Sequence, residues 1–290
     1  MMRKNKLINE TRSLNELEWL MERVFQKRGF DFREYRRNTL IRRIGRRLKA
    51  RSSKTYKEYA DVLDKDPGEY DKLFNDLTIN VTSFFRDQSA FTALEQVVIP
   101  ALVKKEAKNI RIWSMGCSTG EEPYSIAILL MEFLKQNIKK MDITILATDI
   151  DPRALKNAMK GIFSNKAVAD IRPSWVEKYF IPAGNNFSVR PELKELITFQ
   201  THDMVSDPFY HDFDLVVCRN VLIYFMLPLQ IRVLKCIHKE LKQGGFLLLG
   251  KAEQPAAELN GLFSCVDRNA RLYRNIPLQN TGIEWNRKRE

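Results

Sequence analysis

The first eighty residues carry apolar side chains at helical spacing. Four stripes repeat every three or four positions, the period at which side chains share one face of an amphipathic helix. The stripes cover residues 14–25, 40–48, 56–63 and 70–77. We therefore predict a small all-helical domain over residues 1–80, followed by a linker and one further helix over residues 81–108.

From residue 109 the pattern changes to short apolar runs that alternate with helical periodicity. Runs typical of strands begin near residues 110, 143, 196, 213 and 244, and a closing pair follows near 263 and 270. Strands that alternate with helices predict a parallel sheet covered on both faces, an α/β fold over residues 109–290. Ligands of such sheets bind beyond the carboxyl ends of the strands.

The alternation is interrupted between residues 162 and 196. Three prolines and an Ala-Gly-Asn-Asn turn signal stand there among short β-like runs. A turn signal between two strand-like runs predicts a hairpin. We expect a small β-hairpin insertion on the main sheet.

Composition adds charge and cellular context. The net charge is +12, from 48 Lys and Arg against 36 Asp and Glu, which favours an acidic partner such as nucleic acid, anionic lipid or an acidic protein face. The four cysteines have no metal-ligand spacing, so no metal site is expected. No apolar run is long enough to span a bilayer. We expect a cytoplasmic monomer without membrane insertion.

The positive charge is concentrated in one predicted helix. Residues 28–51 contain ten Lys or Arg against two acidic residues. Because the apolar positions of this helix occupy one face, its arginines form the opposite face. The candidate docking residues are Arg36, Arg42, Arg43, Arg46 and Arg47. A merely solvated face is the alternative, but the charge excess beside a predicted active site favours electrostatic docking.

A glycine-bounded turn follows the first predicted strand. Gly116 and Gly120 allow a tight turn and close approach of a ligand, and Glu121 and Glu122 follow directly. The spacing is not Gly-x-Gly-x-x-Gly, and two acidic residues would repel a pyrophosphate. They suit a cationic ligand such as S-adenosylmethionine (SAM), which carries a sulfonium and an ammonium group. Helix capping by the two glutamates is the alternative.

Two further carboxylates end predicted strands. Asp149 can accept hydrogen bonds from both hydroxyls of a ribose, although it can also cap the next helix. Asp151 is expected to be that cap, ahead of a proline. Asp203 and Met204 follow a later strand, where a carboxylate beside an apolar side chain suits an adenine ring.

Two segments remain with candidate chemistry. Residues 218–225, Cys-Arg-Asn-Val-Leu-Ile-Tyr-Phe, lack the Asn-Pro-Pro-aromatic motif of many enzymes that methylate amino nitrogens. In the interdomain junction, Asn80, Thr82 and Arg86 are spaced so that they can face a cleft together. At least one of the two phenylalanines between Thr82 and Arg86 is expected to fill the space between the domains.

Four of these segments resemble the signatures of the CheR-type chemotaxis receptor glutamate methyltransferases. They are residues 80–87, 116–125, 147–151 and 218–225, in the family's order and at fitting separations. The resemblance covers nearly the whole chain. It implies a class I SAM-dependent methyltransferase sheet (Rossmann-like) with a small all-α N-terminal domain. It also implies methyl transfer from SAM to glutamate carboxylates of chemoreceptors in sensory adaptation, with S-adenosylhomocysteine as the product.

The resemblance also assigns residues. It implies a cofactor site formed by Asn80, Thr82, Arg86, Glu122, Asp149, Asp203, Met204, Arg219 and Asn220. It implies that Arg86 and Tyr224 flank the transferred methyl group as the catalytic pair. Some relatives have Asn at the position of Asp203, and either residue can accept from the adenine amine. The insertion around residues 183–189 looks shorter than in enteric relatives, which puts docking through a receptor-tail tether in doubt.

The implied reaction needs no general base. A glutamate side chain has a pKa of about 4.3 and is already ionised at neutral pH. This agrees with the absence of a histidine that any local pattern would place as a base. We expect the three histidines, His202, His211 and His238, in loops or at the surface. Two alternatives stay open. A nucleic-acid methyltransferase would suit the charge but lacks a recognised binding module. A non-catalytic SAM-binding receptor adaptor would not need Arg86 and Tyr224.

Overall fold

The computed structural model describes residues 2–78, 80–104 and 109–277. Four helices form the N-terminal domain: α1 (Met2–Arg28), α2 (Arg37–Ala50), α3 (Tyr56–Lys65) and α4 (Gly68–Leu77). The predicted apolar stripes meet in one core, where Leu20, Ile44, Tyr59 and Leu73 are fully buried. The helical prediction for this region is therefore confirmed.

A charged cluster lies inside the helical domain. Glu69 on α4 is 0% exposed and accepts hydrogen bonds from the Tyr59 hydroxyl at 2.8 Å and from Arg47 at 2.7 to 2.9 Å. The side chain of Arg47 is only 16% exposed. One of the five predicted docking arginines thus serves an internal ion pair between α2 and α4.

The remaining helices and the strands follow in chain order. The helices are α5 (Gln88–Ala93), which continues through a π-helical turn (Leu94–Val98) into α6 (Ile99–Lys104), then α7 (Glu121–Leu134), α8 (Pro152–Lys160), α9 (Asn165–Val168), α10 (Pro173–Tyr179), α11 (Pro191–Lys194) and α12 (Leu227–Glu240). The strands are β1 (Asn109–Met115), β2 (Asp142–Asp149), β3 (Ile162–Ser164), β4 (Phe180–Ala183), β5 (Asn186–Val189), β6 (Ile197–Thr201), β7 (Phe213–Cys218), β8 (Leu241–Leu249), β9 (Phe263–Asp267) and β10 (Leu272–Asn275).

Seven strands form the main sheet in the order β6-β2-β1-β7-β8-β10-β9. The first five are parallel, and β10 and β9 close the sheet in antiparallel orientation. One apolar core packs α7 against one face, and a second packs α12 against the other. The chain reverses its direction of travel across the sheet between β1 and β7. Ligands of open α/β sheets bind at the carboxyl edge near such a switch point.

The insertion is larger than a hairpin. β4 and β5 pair in antiparallel orientation around the predicted turn, where Gly184 has a φ of +61°. β3 adds a third strand on the other side of β5. The β-hairpin prediction is confirmed, and the third strand was missed because a three-residue run carries little periodicity.

Strand β8 begins three residues before the predicted run. Helix α12 ends at Glu240, and the next residue, Leu241, already pairs with Phe213. The buried amide of Asn275 stabilises this change of structure by donating to the carbonyl of Leu241 at 2.9 Å. Among the described residues, no helix combines the length and the apolar content needed to cross a membrane.

Candidate active site

One cavity opens at the carboxyl edge of the main sheet, beside the junction between the two domains. Every residue that the sequence assigned to the cofactor or to the methyl group lines it. These residues are Asn80, Thr82, Arg86, Glu122, Asp149, Asp203, Met204, Arg219, Asn220 and Tyr224. Segments up to about 140 positions apart in the chain therefore meet at one place.

The turn after β1 brings backbone to the floor of this cavity. Gly116 has a φ of +69°, and a Cβ atom there would lie 2.5 Å from Cγ2 of Val221. Gly120 has a φ of +96°, and its Cβ would lie 2.9 Å from the Cβ of Ala158. Side chains larger than hydrogen would therefore push the turn away from these two neighbours, so the glycines permit the predicted tight turn.

Two carboxylates line the cavity: the buried Asp149 at the end of β2 and the half-buried Asp203 in the segment after β6. Asp149 accepts hydrogen bonds from the backbone N–H groups of Ser118 at 2.7 Å and Asp151 at 2.9 Å. Asp203 accepts from the backbone N–H of Val205 at 2.9 Å. Burial raises the pKa of Asp149 and of Asp203 above the usual value for an aspartate. Neither forms an ion pair within the described part of the chain, so each retains lone pairs for a hydrogen-bond donor.

Asn80 links the junction to the end of β2. Asp151 caps α8 as predicted, accepting from the backbone N–H of Arg153 at 2.8 Å. The other oxygen of Asp151 accepts from Nδ2 of Asn80 at 2.7 Å. Oδ1 of Asn80 lies 3.4 Å from the Ser118 hydroxyl, which can donate to it. The side chain of Asn80 thus holds the junction against the sheet as well as lining the cavity.

Glu122 and Arg219 form a buried pair in the cavity wall. Glu122 accepts from the Ser114 hydroxyl at 2.7 Å and from Arg219 Nη1 at 3.1 Å. Burial raises the pKa of Glu122, and the positive charge of Arg219 opposes that shift. Nη2 of Arg219 donates to the carbonyl of Arg86 at 2.7 Å and to Asp87 at 2.8 Å. The guanidinium is therefore largely occupied by protein groups.

Arg86 and Tyr224 stand at the cavity beside helix α2. Nη1 of Arg86 donates to the carbonyl of Val81 at 2.8 Å. Burial raises the pKa of the Tyr224 phenol, while the positive charges of Arg43 and Arg86 lower it. Arg86 and Tyr224 both line the cavity, and the backbone of Tyr224 contacts the residue before α2, because the N–H of Arg36 donates to the Tyr224 carbonyl at 2.8 Å. The predicted catalytic pair and the predicted docking helix are neighbours in space.

The N-terminal domain contributes Tyr35 to the cavity wall, which the sequence did not indicate. Its ring packs edge-to-face on Phe225 with centroids 5.0 Å apart. The backbones pair as well, because the N–H of Arg36 donates to the carbonyl of Tyr224 at 2.8 Å and the N–H of Met226 donates to the carbonyl of Glu34 at 2.9 Å. A single isolated β-bridge leaves no periodic signal in the sequence.

Glu253 organises the segment after β7. Its buried carboxylate accepts from the backbone N–H groups of Gly250 at 2.7 Å, Asn220 at 2.9 Å and Ile223 at 3.2 Å. Asn220 has a φ of +60°, a left-handed conformation that Asn tolerates better than most residues. This glutamate was also missed, since an acidic residue in a loop is normally exposed.

Of the histidines expected in loops or at the surface, His202 lies in a loop but is buried, and His238 contradicts the prediction because it is a buried residue of helix α12. His202 is 3% exposed, lies in the cavity wall and packs edge-to-face on Trp113. Its Nε2 lies 3.2 Å from the carbonyl of Pro208, which can only accept, so Nε2 carries the proton. Burial lowers the pKa of His202 and keeps the ring neutral at pH 7. His238 is also buried and bonds the carbonyl of Ile276 at 2.9 Å.

The residues of the cavity fit SAM. The ligand presents hydroxyl and amine donors together with two positive charges, and the wall presents three buried or half-buried carboxylates. Asp149 and Asp203 lack a cationic partner in the described chain, and Glu122 is only partly neutralised by Arg219. Met204 supplies an apolar surface beside Asp203. An anionic ligand would meet repulsion at all three acids.

Comparison with known proteins gives a consistent family assignment. The profile of the "CheR methyltransferase, all-alpha domain" matches residues 15–78, and that of the "CheR methyltransferase, SAM binding domain" matches residues 80–272. An uncharacterized 104.1 kDa protein of Rhodobacter capsulatus is 36% identical over 225 residues, which are 77% of this chain and 24% of that protein.

Two relatives of similar length carry the name "Chemotaxis protein methyltransferase". The protein of Listeria innocua is 34% identical over 242 residues, 81% of this chain and 91% of that protein. The protein of Borreliella burgdorferi is 33% identical over 248 residues, 82% of this chain and 88% of that protein. The chain belongs to the CheR methyltransferase family, in which an all-α domain precedes a SAM-binding domain.

Proposed function

We propose that this enzyme transfers the methyl group of SAM to glutamate side chains of chemoreceptors, forming methyl esters. The observation that carries the proposal is the position of Arg86 and Tyr224 in the wall of the acid-lined cavity, where the backbone of Tyr224 contacts Arg36 at the start of α2. The relatives named as chemotaxis protein methyltransferases support the substrate class. The nucleic-acid and adaptor alternatives have no comparable support.

In this proposal the cavity walls hold SAM, which supplies a methyl group activated by its sulfonium. Asp149 accepts from the ribose hydroxyls, Asp203 accepts from the adenine amine beside Met204, and Glu122 faces the positively charged methionine end. Asn80, Thr82 and Asn220 complete the polar wall. Arg219 holds Glu122 and the junction in place, since its donors are directed to protein acceptors.

The protein's task at the acceptor is positioning. A glutamate carboxylate is ionised at neutral pH, so no proton has to be removed. His202 would be a poor base, because its unprotonated nitrogen, Nδ1, is buried without a hydrogen-bond partner among the described residues and burial lowers the pKa of the ring. Arg86 and Tyr224 donate hydrogen bonds that hold the incoming carboxylate in line with the methyl group. Holding two reactants in line can contribute several kcal/mol, up to about 7–11 kcal/mol.

Helix α2 supplies the proposed receptor contact. Arg42 and Arg46 are exposed, whereas Arg47 is paired internally with Glu69. Arg36 is exposed but its Nε donates to the carbonyl of Phe225 at 3.2 Å. Arg43 is half-buried near Tyr224 and has no carboxylate partner among the described residues. The exposed arginines can meet an acidic receptor helix while Arg43 extends the positive potential to the cavity.

Reversing the charge of the docking face should weaken receptor recognition. We expect Arg42→Glu combined with Arg46→Glu to raise the KM for receptor about tenfold at low salt, because several exposed ion pairs of about 0.2–1 kcal/mol each are lost or inverted. Initial rates at a series of receptor and salt concentrations measure this. The wild-type KM should rise steeply with salt and the variant's should not.

The matched control reverses two exposed lysines on another helix of the same domain. Lys57→Glu combined with Lys65→Glu on α3 makes the same change in net charge. It should leave the receptor KM nearly unchanged. Equal effects of the two pairs would mean that net charge, rather than the α2 face, governs the encounter.

The proposed reaction can be tested directly with methyl-tritiated SAM. The enzyme is incubated with membranes that contain chemoreceptors, and the products are treated with alkali. Carboxyl methyl esters release volatile methanol, whereas methylated bases do not. Label that enters nucleic acid and resists alkali would support the nucleic-acid alternative. SAM binding by calorimetry without any transfer would support the adaptor.

A further inference from the structure

The backbone on both sides of Arg86 adopts a conformation that side-chain-bearing residues rarely adopt. Phe85 has a φ of +50° and Asp87 a φ of +62°. Asp tolerates the left-handed region, but a bulky aromatic residue there is strained. Strained backbone persists only where its surroundings hold it, and it concentrates at functional sites. The contacts that hold this segment therefore bear on what Arg86 does.

Phe85 is fixed on the N-terminal side. Its backbone N–H donates to the Ser125 hydroxyl at 3.0 Å. Its ring packs against Phe91 and Trp175, with centroids 5.2 Å away in both cases. These contacts connect the segment to α7, α5 and α10. The residue that precedes Arg86 is therefore held in a fixed position.

Arg219 fixes the segment on the C-terminal side. Its Nη2 donates both to the Arg86 carbonyl at 2.7 Å and to Oδ2 of Asp87 at 2.8 Å. Its Nη1 donates to Glu122 at 3.1 Å, and its side chain is 2% exposed. Three acceptors in different directions match the fork of a guanidinium, which a lysine ammonium cannot reproduce. We call these contacts of Arg219 with Arg86 and Asp87 the clamp. Because Arg219 follows β7, the clamp attaches the segment to the carboxyl edge of the sheet.

We infer that Asp87 and Arg219 are positioning residues that aim Arg86 at the acceptor carboxylate. This inference rests on the proposed role of Arg86 in methyl transfer. Both terminal nitrogens of Arg219 donate to protein acceptors, whereas its Nε has no hydrogen-bond partner among the described residues. The two contacts that Nη2 makes end on the backbone and the side chain next to Arg86, so their effect on the reaction passes through Arg86. Without the Asp87–Arg219 contact, the backbone at Asp87 can relax to a negative φ, which turns the Arg86 side chain away from the cavity.

A double-mutant cycle tests the inference. Asp87→Asn removes the charged acceptor while keeping a residue that tolerates positive φ. We expect it to lower kcat about 10- to 100-fold, the range for a lost charge-assisted hydrogen bond. The KM for receptor, the SAM affinity and the melting temperature should stay near the wild-type values. In the Arg86→Ala background the same change should lower kcat less than about threefold, because residues that act through one group are not additive.

Two further variants keep the test decisive. Asp87→Gly retains the conformational freedom but not the carboxylate, and it should repeat the loss of kcat. Asp71→Asn removes a different aspartate from an ion pair, the exposed one with Arg153 at 3.1 Å, and should leave kcat unchanged. An equal loss of kcat in both Arg86 backgrounds, or unchanged kcat in Asp87→Asn and Asp87→Gly, would overturn the inference.

The cycle also separates this inference from the proposed function. Failure of the wild-type enzyme to label receptor glutamates would overturn the function itself. If Arg86→Ala binds SAM and keeps the wild-type kcat, Arg86 has no role in methyl transfer. The proposed positioning role of Asp87 and Arg219 would then be overturned as well. A large effect of Arg86→Ala with an additive cycle would leave the function standing and reject only the clamp.

Discussion

Replacing Arg86 with Ala is expected to slow receptor methylation about 100-fold, while SAM still binds to the folded enzyme. Loss of one preorganised donor at a reacting group typically costs about 10²–10³ in rate. Arg86 is the cation of the proposed pair, and its backbone is held to the sheet by Arg219. Tyr224→Phe removes a neutral hydroxyl and should cost less, about three- to tenfold.

The rates should be measured in single turnovers with saturating SAM, so that methyl transfer is separated from receptor docking. Calorimetry gives the SAM affinity of each variant. Arg153→Ala is a suitable control, because Arg153 is exposed and pairs with Asp71 on the outside of the molecule. Near-wild-type turnover in both Arg86→Ala and Tyr224→Phe, with intact SAM binding, would show that neither residue holds the acceptor.

Replacing Glu69 with Ala should cause the largest loss of stability in the helical domain. Removing one partner of a buried ion pair costs about 3–5 kcal/mol, because the other charge is left without compensation. Here the change leaves the half-buried Arg47 with only its longer contact to Asp76 at 3.5 Å, and it removes the acceptor of the buried Tyr59 hydroxyl. We expect the free energy of unfolding of this domain to fall by that amount in urea titrations followed by circular dichroism.

The exposed pair between Asp71 and Arg153 provides the comparison. Asp71→Ala should change the stability by at most about 1 kcal/mol, since both side chains are more than half exposed. Glu69→Gln keeps an oxygen that can accept hydrogen bonds, so its loss of stability should lie between those of Glu69→Ala and Asp71→Ala. A loss below about 1.5 kcal/mol in Glu69→Ala would mean that the cluster of Glu69, Arg47 and Tyr59 relaxes or hydrates without difficulty.

This cluster has a functional consequence under the proposed function. Arg47 holds α2 against α4, and the exposed Arg42 and Arg46 are carried on the same helix. The backbone bridge between Tyr35 and Phe225 then ties the start of α2 to the segment that carries Tyr224. A receptor helix bound to α2 would therefore be held at a defined distance from the cavity.

The sequence by itself determined the order of the elements and several local features of the site. The helical stripes, the Gly116–Gly120 turn and the cap at Asp151 depend on spacing and on residue type within a few positions. Asp149 and Asp203 could be predicted to meet because both end strands of one sheet, and parallel strands present their carboxyl ends at one edge.

Only the tertiary structure decided which polar side chains are buried and which residues they contact. Arg47 looked like its exposed neighbours on α2, but Glu69 lies 22 positions away and makes it an internal residue. His202 and Glu253 gave no sign of burial, and Tyr35 meets a segment 190 positions further along the chain. Arg219 was predicted beside the cofactor, and the fold directs its donors to Arg86, Asp87 and Glu122.

The physical reason is the range of the interactions. Periodicity, turn chemistry and helix caps act between residues a few positions apart, so they are readable along the chain. The environment of a charged side chain is set by groups that the fold brings from distant segments. Burying a charged side chain without a partner costs too much free energy, so its burial depends on those distant groups. The fold alone therefore decided whether each arginine of this enzyme faces solvent, the cavity or the core.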